Sequence, residues 1–188
     1  MTKTVFVFSG PSGSGKSTII KLLLKRFQNV GSTVSCTTRQ KRETETDGVD
    51  YHFLSEQEFQ KYITEGKFIE YVECYGNRYG TLKSAVENVL LYKDACVLDL
   101  DFEGASRILS LEFKGAKTVG ILILPPSIKS METRLLNRRS ETQDSLNKRL
   151  DESFDIKTIG DYETVIINKD LEVSVKETID MFKAHSIF

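Results

Sequence analysis

Gly10-Pro11-Ser12-Gly13-Ser14-Gly15-Lys16-Ser17 satisfies the spacing G-x-x-x-x-G-K-[ST]. Between a strand and a helix, this pattern turns backbone N–H groups inward around phosphates, with the positive end of the helix behind them. Lys16 reaches the β and γ phosphates, and the Ser17 hydroxyl can ligate Mg2+. Gly10 to Ser17, with Thr18, are therefore expected to hold a nucleoside triphosphate and Mg2+. The competing reading, a Gly/Ser-rich surface turn, is disfavoured by what flanks the loop. Such chemistry also needs a carboxylate near the metal at the end of a neighbouring core strand, and Asp99 follows Cys96-Val97-Leu98. Asp99 is expected to reach the metal directly or through water. Asp101 shares its face if the strand continues through Leu100.

Short apolar runs alternate with longer segments of helical period, the pattern of an α/β domain with a largely parallel sheet. Val5 to Phe8 is apolar throughout, as a strand buried on both faces requires. Ile20, Leu23, Leu24 and Phe27 then form one helical stripe. Cys96 to Leu98, Val119 to Leu124 and Val165 to Ile167 read as further core strands. Leu82 to Leu90, Ala105 to Leu109, Ile128 to Leu136 and Leu171 to Phe182 read as helices. The texture differs over 34–85: Val34, Cys36 and Thr38 alternate, 40–48 holds no apolar residue, and Tyr51 to Leu54 and Phe68 to Tyr75 look like sheet. Ser55-Glu56-Gln57-Glu58 before Phe59 reads as a capping box opening a short helix that Gly66 stops. One domain over 1–188 is expected, with a core of 1–33, 86–126 and 153–188, a mostly β insertion at 34–85, and a mobile, basic helical lid at 127–152.

The chain has 188 residues, with 26 Lys and Arg against 27 Asp and Glu, for a net charge of −1. At this length roughly 70 % of the unfolded surface can be buried, so no disulfide or structural metal is needed. Without a basic excess, binding to a nucleic-acid polymer is not expected. Cys36, Cys74 and Cys96 are too far apart for a zinc motif and odd in number, which fits a reducing cytoplasm. Neither a signal-peptide core nor a membrane-spanning run is visible. His52 and His185 invite structural roles only.

Further motifs follow in order: Ser35-Cys36-Thr37-Thr38-Arg39 with Arg42, Gly48-Val49-Asp50-Tyr51-His52-Phe53, Phe68-Ile69-Glu70-Tyr71, Gly76-Asn77-Arg78-Tyr79-Gly80-Thr81 and Asp99-Leu100-Asp101. With the phosphate loop, they make the chain resemble the guanylate kinase family from about Val5 to Phe182. The resemblance implies a P-loop three-layer α/β core with a parallel sheet, an inserted mixed β region for GMP and a helical lid. It also implies Mg2+-dependent phosphoryl transfer from ATP to GMP or dGMP in purine nucleotide metabolism. A monomer or weak homodimer is expected.

The same resemblance assigns roles. Arg39 and Arg42 match the arginines that hold the GMP phosphate, with Tyr51 and Tyr79 adding hydroxyls. Glu70 matches the guanine reader, with Ser35, Thr81 and Asp101 as further base contacts and Asp99 on the same side. Arg134, Arg138 and Arg149 match lid arginines that join Lys16 and Arg39 in catalysis, and Asn168 matches a position near adenine. Taken singly, Arg39 and Arg42 also read as salt-bridge partners of Glu43, Glu45 and Asp47, and Glu70 as an edge-strand charge. Lys41, Thr44, Glu103, Arg139 and Lys169 depart from the usual Pro, Gly, Gln, Gly and Asp. Two alternatives stand beside the kinase reading: a guanylate-kinase-like protein-binding module without activity, and a P-loop kinase for another small phosphate acceptor.

Overall fold

The computed structural model describes residues 3–74, 76–113, 115–136 and 162–188. The first strand, β1 (Lys3–Ser9), is followed by the phosphate loop and α1 (Lys16–Arg26). β1 is the middle of five parallel strands in the order β2-β7-β1-β8-β9. The others are β2 (Val30–Ser32), β7 (Ala95–Asp99), β8 (Ala116–Leu124) and β9 (Thr164–Ile167). Parallel strands buried on both faces need apolar residues at every position, and β1 shows how they divide. Phe6 and Phe8 pack with Ile19, Leu23 and Phe182 on one face, while Val5 and Val7 pack with Val86, Ala105 and Ile108 on the other. The first face is covered by α1 and the C-terminal α6 (Leu171–Ala184), whose Phe182 ring stacks on Phe6 with centroids 4.1 Å apart. The second is covered by α3 (Lys83–Tyr92) and α4 (Phe102–Leu109). Three layers result, as the family resemblance implies.

A second, mixed sheet lies between α1 and α3 in the chain, in the order β4-β3-β6-β5. It comprises β3 (Cys36–Thr37), β4 (His52–Phe53), β5 (Phe68–Cys74) and β6 (Asn77–Leu82). α2 (Glu56–Thr64) covers it, and the expected capping box is present: Glu58 N–H donates to the Ser55 hydroxyl while the Glu58 carboxylate accepts from Ser55 N–H. Phe59 stacks on Phe68 at 4.5 Å. β6 runs straight into α3, with Leu82 as its N-cap.

Three expectations change. Phe27 is buried but lies past α1, in extended backbone. β2 and β6 are strands that periodicity did not reveal, being three residues long in one case and polar with an internal glycine in the other. β7 ends at Asp99, and Asp101 caps α4 by accepting from Gly104 N–H at 2.7 Å, so the two carboxylates do not continue one strand face. α5 (Ile128–Leu136) is the first part of the lid expected at 127–152; the rest of it, with Arg138, Arg139 and Arg149, lies outside the described residues. Among the described residues, no helix is long and apolar enough to cross a membrane.

Candidate active site

The parallel strands end together, and the loop after β1 opens at that carboxyl edge, where open α/β sheets place their ligands. Gly15 caps α1 with φ 97°, and a Cβ there would stand 2.2 Å from Asn168 Nδ2. Only glycine meets both conditions. α1 has no side-chain cap, so its first N–H groups face the loop. Lys16 Nζ donates to the Gly10 carbonyl at 2.7 Å and stands 3.7 Å from Asp99 Oδ1, while Ser17 Oγ donates to Asp99 Oδ2 at 2.7 Å. A cation, a hydroxyl and a carboxylate therefore meet at the mouth of the loop. The buried Ser14 hydroxyl has no hydrogen-bond partner among the described residues.

Behind the loop, Asn168 at the end of β9 donates from Nδ2 to the Ser14 carbonyl at 2.8 Å. Arg134, on α5, donates to the Ser14 carbonyl at 3.2 Å and to the Asn168 carbonyl at 2.9 Å. Arg134 thus ties the loop to β9, a bracing contact that the lid assignment did not anticipate.

On the second sheet, Arg39 lies over the Tyr51 and Phe53 rings, 5.5 and 5.7 Å from their centroids, and Tyr79 meets Tyr51 edge-on at 6.1 Å. Arg39 Nη2 donates to Glu45 Oε1 at 2.7 Å, and Arg42 N–H donates to Glu45 Oε2 at 2.9 Å. Burial alone would lower the Arg39 pKa, but the hydrogen bond and charge of Glu45 outweigh it and raise it. Burial would likewise raise Glu45, and the two arginines hold it below the usual carboxylate range instead. Burial pushes the Tyr51 phenol up to about 12, with the negative field of Asp99 adding to it. Tyr51 is therefore a neutral donor that feels both the second sheet and the loop's carboxylate.

Glu70, on β5, is 5 % exposed beside Asp101 and Thr81. Burial pushes its carboxyl up to about 7; Asp101 adds to the shift, while Thr81 and Arg107 act against it. Asp101 is raised too, by burial first, and Glu103 adds to it. A Cβ on Gly104 would stand 2.9 Å from Glu70 Oε2 and 3.1 Å from Asp101 Oδ1, so the bare glycine lets α4 approach both carboxylates. Arg107 joins the same elements, donating to the Tyr71 carbonyl and to Glu103 at 2.6 Å each. Ser35, half-buried, accepts from His52 N–H through its carbonyl at 2.9 Å.

Glu45 was named from sequence only as a salt-bridge partner of Arg39 and Arg42, which it is, and Gly104 and Arg107 were not singled out. A glutamate three residues from an arginine carries no signal beyond a salt bridge, and the contacts of the other two cross from α4 to β5. The buried Cys36 and Cys96 thiols are pushed up to about 11 and about 12, chiefly by burial, which keeps them unreactive. His185 pairs with Glu163 at 2.8 Å and packs edge-on against Phe6.

A parallel α/β sheet whose central strand feeds a phosphate loop, with a carboxylate on the next strand and a second sheet bearing a cluster of arginine and tyrosine, is the architecture of P-loop phosphotransferases. The profile of the guanylate kinase family matches residues 2–185. The chain belongs to the guanylate kinase family. Guanylate kinase of Clostridium perfringens strain 13 is 41 % identical over 174 residues, covering 92 % of this chain and 79 % of the relative. That of Thermotoga maritima is 38 % identical over 185 residues, covering 98 % and 88 %. The crystal structure of guanylate kinase from Anaplasma phagocytophilum superposes with a TM-score of 0.76 at 27 % identity, covering 100 % of this chain and 88 % of that one. Neither alternative, the inactive module or the kinase for another acceptor, gains support from these likenesses.

Proposed function

We propose that the protein transfers the γ-phosphoryl group of ATP to GMP or dGMP, giving ADP and the guanosine diphosphate. Family membership supports the reaction, and the observation that carries the acceptor is Glu70. A buried carboxylate accepts two hydrogen bonds side by side, and guanine offers N1–H and the 2-amino group in that spacing, whereas adenine has an acceptor at N1. A site built on such pairing rejects the mismatched base by about 10⁴-fold or more. Ser35, Thr81 and Asp101 surround the same base.

Arg39 and Arg42 take the acceptor's phosphate through fork-shaped, charge-assisted contacts, and Tyr51 and Tyr79 add neutral donors. The loop backbone and Lys16 take the donor's phosphates, and Asn168 lies toward adenine. The acceptor oxygen is already an anion near neutral pH, because a phosphate monoester loses its second proton near pH ~6, so no general base is required. Ser17 and Asp99 suit Mg2+: two oxygen donors at an open mouth leave the remaining positions to water and nucleotide phosphates, the mode Mg2+ favours. Bound there, Mg2+ neutralises charge on the β and γ oxygens. Arg134, with Arg138 and Arg149, supplies further cations, each worth up to ~10³ to 10⁵ in rate when aimed at the transferring group. The wide spacing of the three cysteines and the absence of a basic excess fit action on nucleotides in the cytoplasm, by a monomer or weak homodimer.

The test is a steady-state assay with ATP and Mg2+ over GMP, dGMP, AMP, UMP and dTMP. GMP and dGMP are expected to be turned over with kcat/KM at least about a thousandfold above the rest. AMP or a pyrimidine as best acceptor overturns the assignment.

A further inference from the structure

Arg39 and Arg42 are like charges on one short loop, and with no anion between them their guanidinium groups repel. Glu45 fills that gap: its Oε1 lies 2.7 Å from Arg39 Nη2 and 3.8 Å from Arg42 Nη1, while Oε2 accepts from the Arg42 backbone at 2.9 Å. The Glu45 side chain is 13 % exposed, against 37 % for Glu65 and 62 % for Glu56, which also form ion pairs. The loop itself is closed on the same residue. Lys41 Nζ donates to the Glu45 carbonyl at 2.9 Å, and Glu45 N–H donates to the Arg42 carbonyl at 3.1 Å. Arg39 is pinned further by donation from Nη1 to the Gln40 carbonyl at 2.7 Å and by the Tyr51 and Phe53 rings. Only two of its five N–H donors take part in these bonds among the described residues, so its fork keeps donors for an oxyanion.

The geometry points to Glu45 as a positioning residue that holds Arg39 and Arg42 in place for the acceptor's phosphate before it arrives. This rests on the assignment of those arginines to GMP. Long, flexible side chains lose rotamer freedom when they grip a ligand, and a side chain fixed beforehand has already lost it. Glu45 also carries a negative charge near the incoming phosphate, an effect of opposite sign. The two guanidinium groups on either side offset that repulsion, so positioning dominates. Removing Glu45 therefore weakens GMP, and only through its phosphate.

The test is calorimetric titration of the full chain, as wild type, Glu45→Gln and Glu45→Ala, with GMP and with guanosine, alongside KM for GMP, KM for ATP and thermal unfolding. Glu45→Ala is expected to raise the GMP Kd and KM about tenfold or more, and Glu45→Gln, which keeps the shape and one acceptor, severalfold. Guanosine affinity and KM for ATP stay within about twofold, a split that a merely damaged fold does not give. Unchanged or tighter GMP binding in Glu45→Gln overturns the proposal, as do equal losses for GMP and guanosine or failure of both variants to fold. Wild type that does not phosphorylate GMP overturns the acceptor assignment and this role with it, a result distinct from active wild type with unaltered variants, which removes the role of Glu45 alone.

Discussion

With Glu70 as the proposed guanine reader, one side chain links burial, pH and specificity. Its folded-state pKa of about 7 stands above the ordinary value of 4.5, chiefly because burial disfavours the carboxylate. Below the ordinary value both folded and unfolded chains are protonated there, and the folded state bears no penalty. Between 4.5 and about 7 the folded chain keeps a proton that the unfolded chain has released, so this group's contribution to stability is lost as pH rises through that window. Guanine needs the opposite form, the carboxylate that accepts two bonds. GMP binding therefore draws the proton off, and KM for GMP is expected to fall severalfold from pH 6 to pH 8. Glu70→Gln should raise KM for GMP at least about tenfold and flatten that part of the profile. The residual pH dependence then reports the substrate phosphate, which titrates near ~6, and Asp101. Matching KM and pH profiles in variant and wild type would remove Glu70 as the guanine reader.

At the scale of elements, the meeting of α4 with β5 decides whether that carboxylate can be used. Gly104 lies in the first turn of α4, where its N–H donates to Asp101 and its missing side chain leaves room for the Glu70 oxygens. By helix propensity alone, Gly104→Ala would stabilise α4 by up to ~1 kcal/mol. The approach of 2.9 Å to Glu70 Oε2 works against it, because a carboxylate cannot shift without losing its alignment to the base. The two effects separate in measurement. Thermal stability should change by no more than a few degrees, while KM for GMP rises about tenfold and KM for ATP is unaltered. Equal losses for both nucleotides would show that the substitution disturbs the core rather than the base site. Much at this scale was legible beforehand. The capping box of α2 and the strand, loop and helix unit at β1 and α1 are specified by residues within a few positions of one another. β2 and β6 were not legible, since a three-residue strand or a polar strand containing Gly80 is stabilised by partners far away in sequence.

For the whole molecule, α4 joins the core to the second sheet, with Arg107 donating to the Tyr71 carbonyl and Gly104 lying against Glu70. A ligand that binds only the folded state stabilises it by about 2.7 kcal/mol at a hundredfold excess over Kd. In a chain of this size, each kcal/mol moves Tm by roughly 2–4 °C. GMP at that excess should raise Tm by about 5–10 °C, and AMP at equal concentration by little. Equal shifts from both would argue that the base is not read.

The sequence by itself determined the loop, the lysine, the alternating strands and helices of the core and the order of the motifs. Those depend on local backbone chemistry and on apolar periodicity, both written over short spans. It also located Arg39, Arg42, Glu70 and Asp101 as charges of interest, without deciding which were solvated. Only the tertiary structure decided that Glu45 lies between the two arginines, that Asp101 caps a helix, that Arg134 braces the loop against β9, and that burial raises Glu70. Burial and charge pairing depend on what arrives from distant parts of the chain, and no spacing along the sequence encodes that distance.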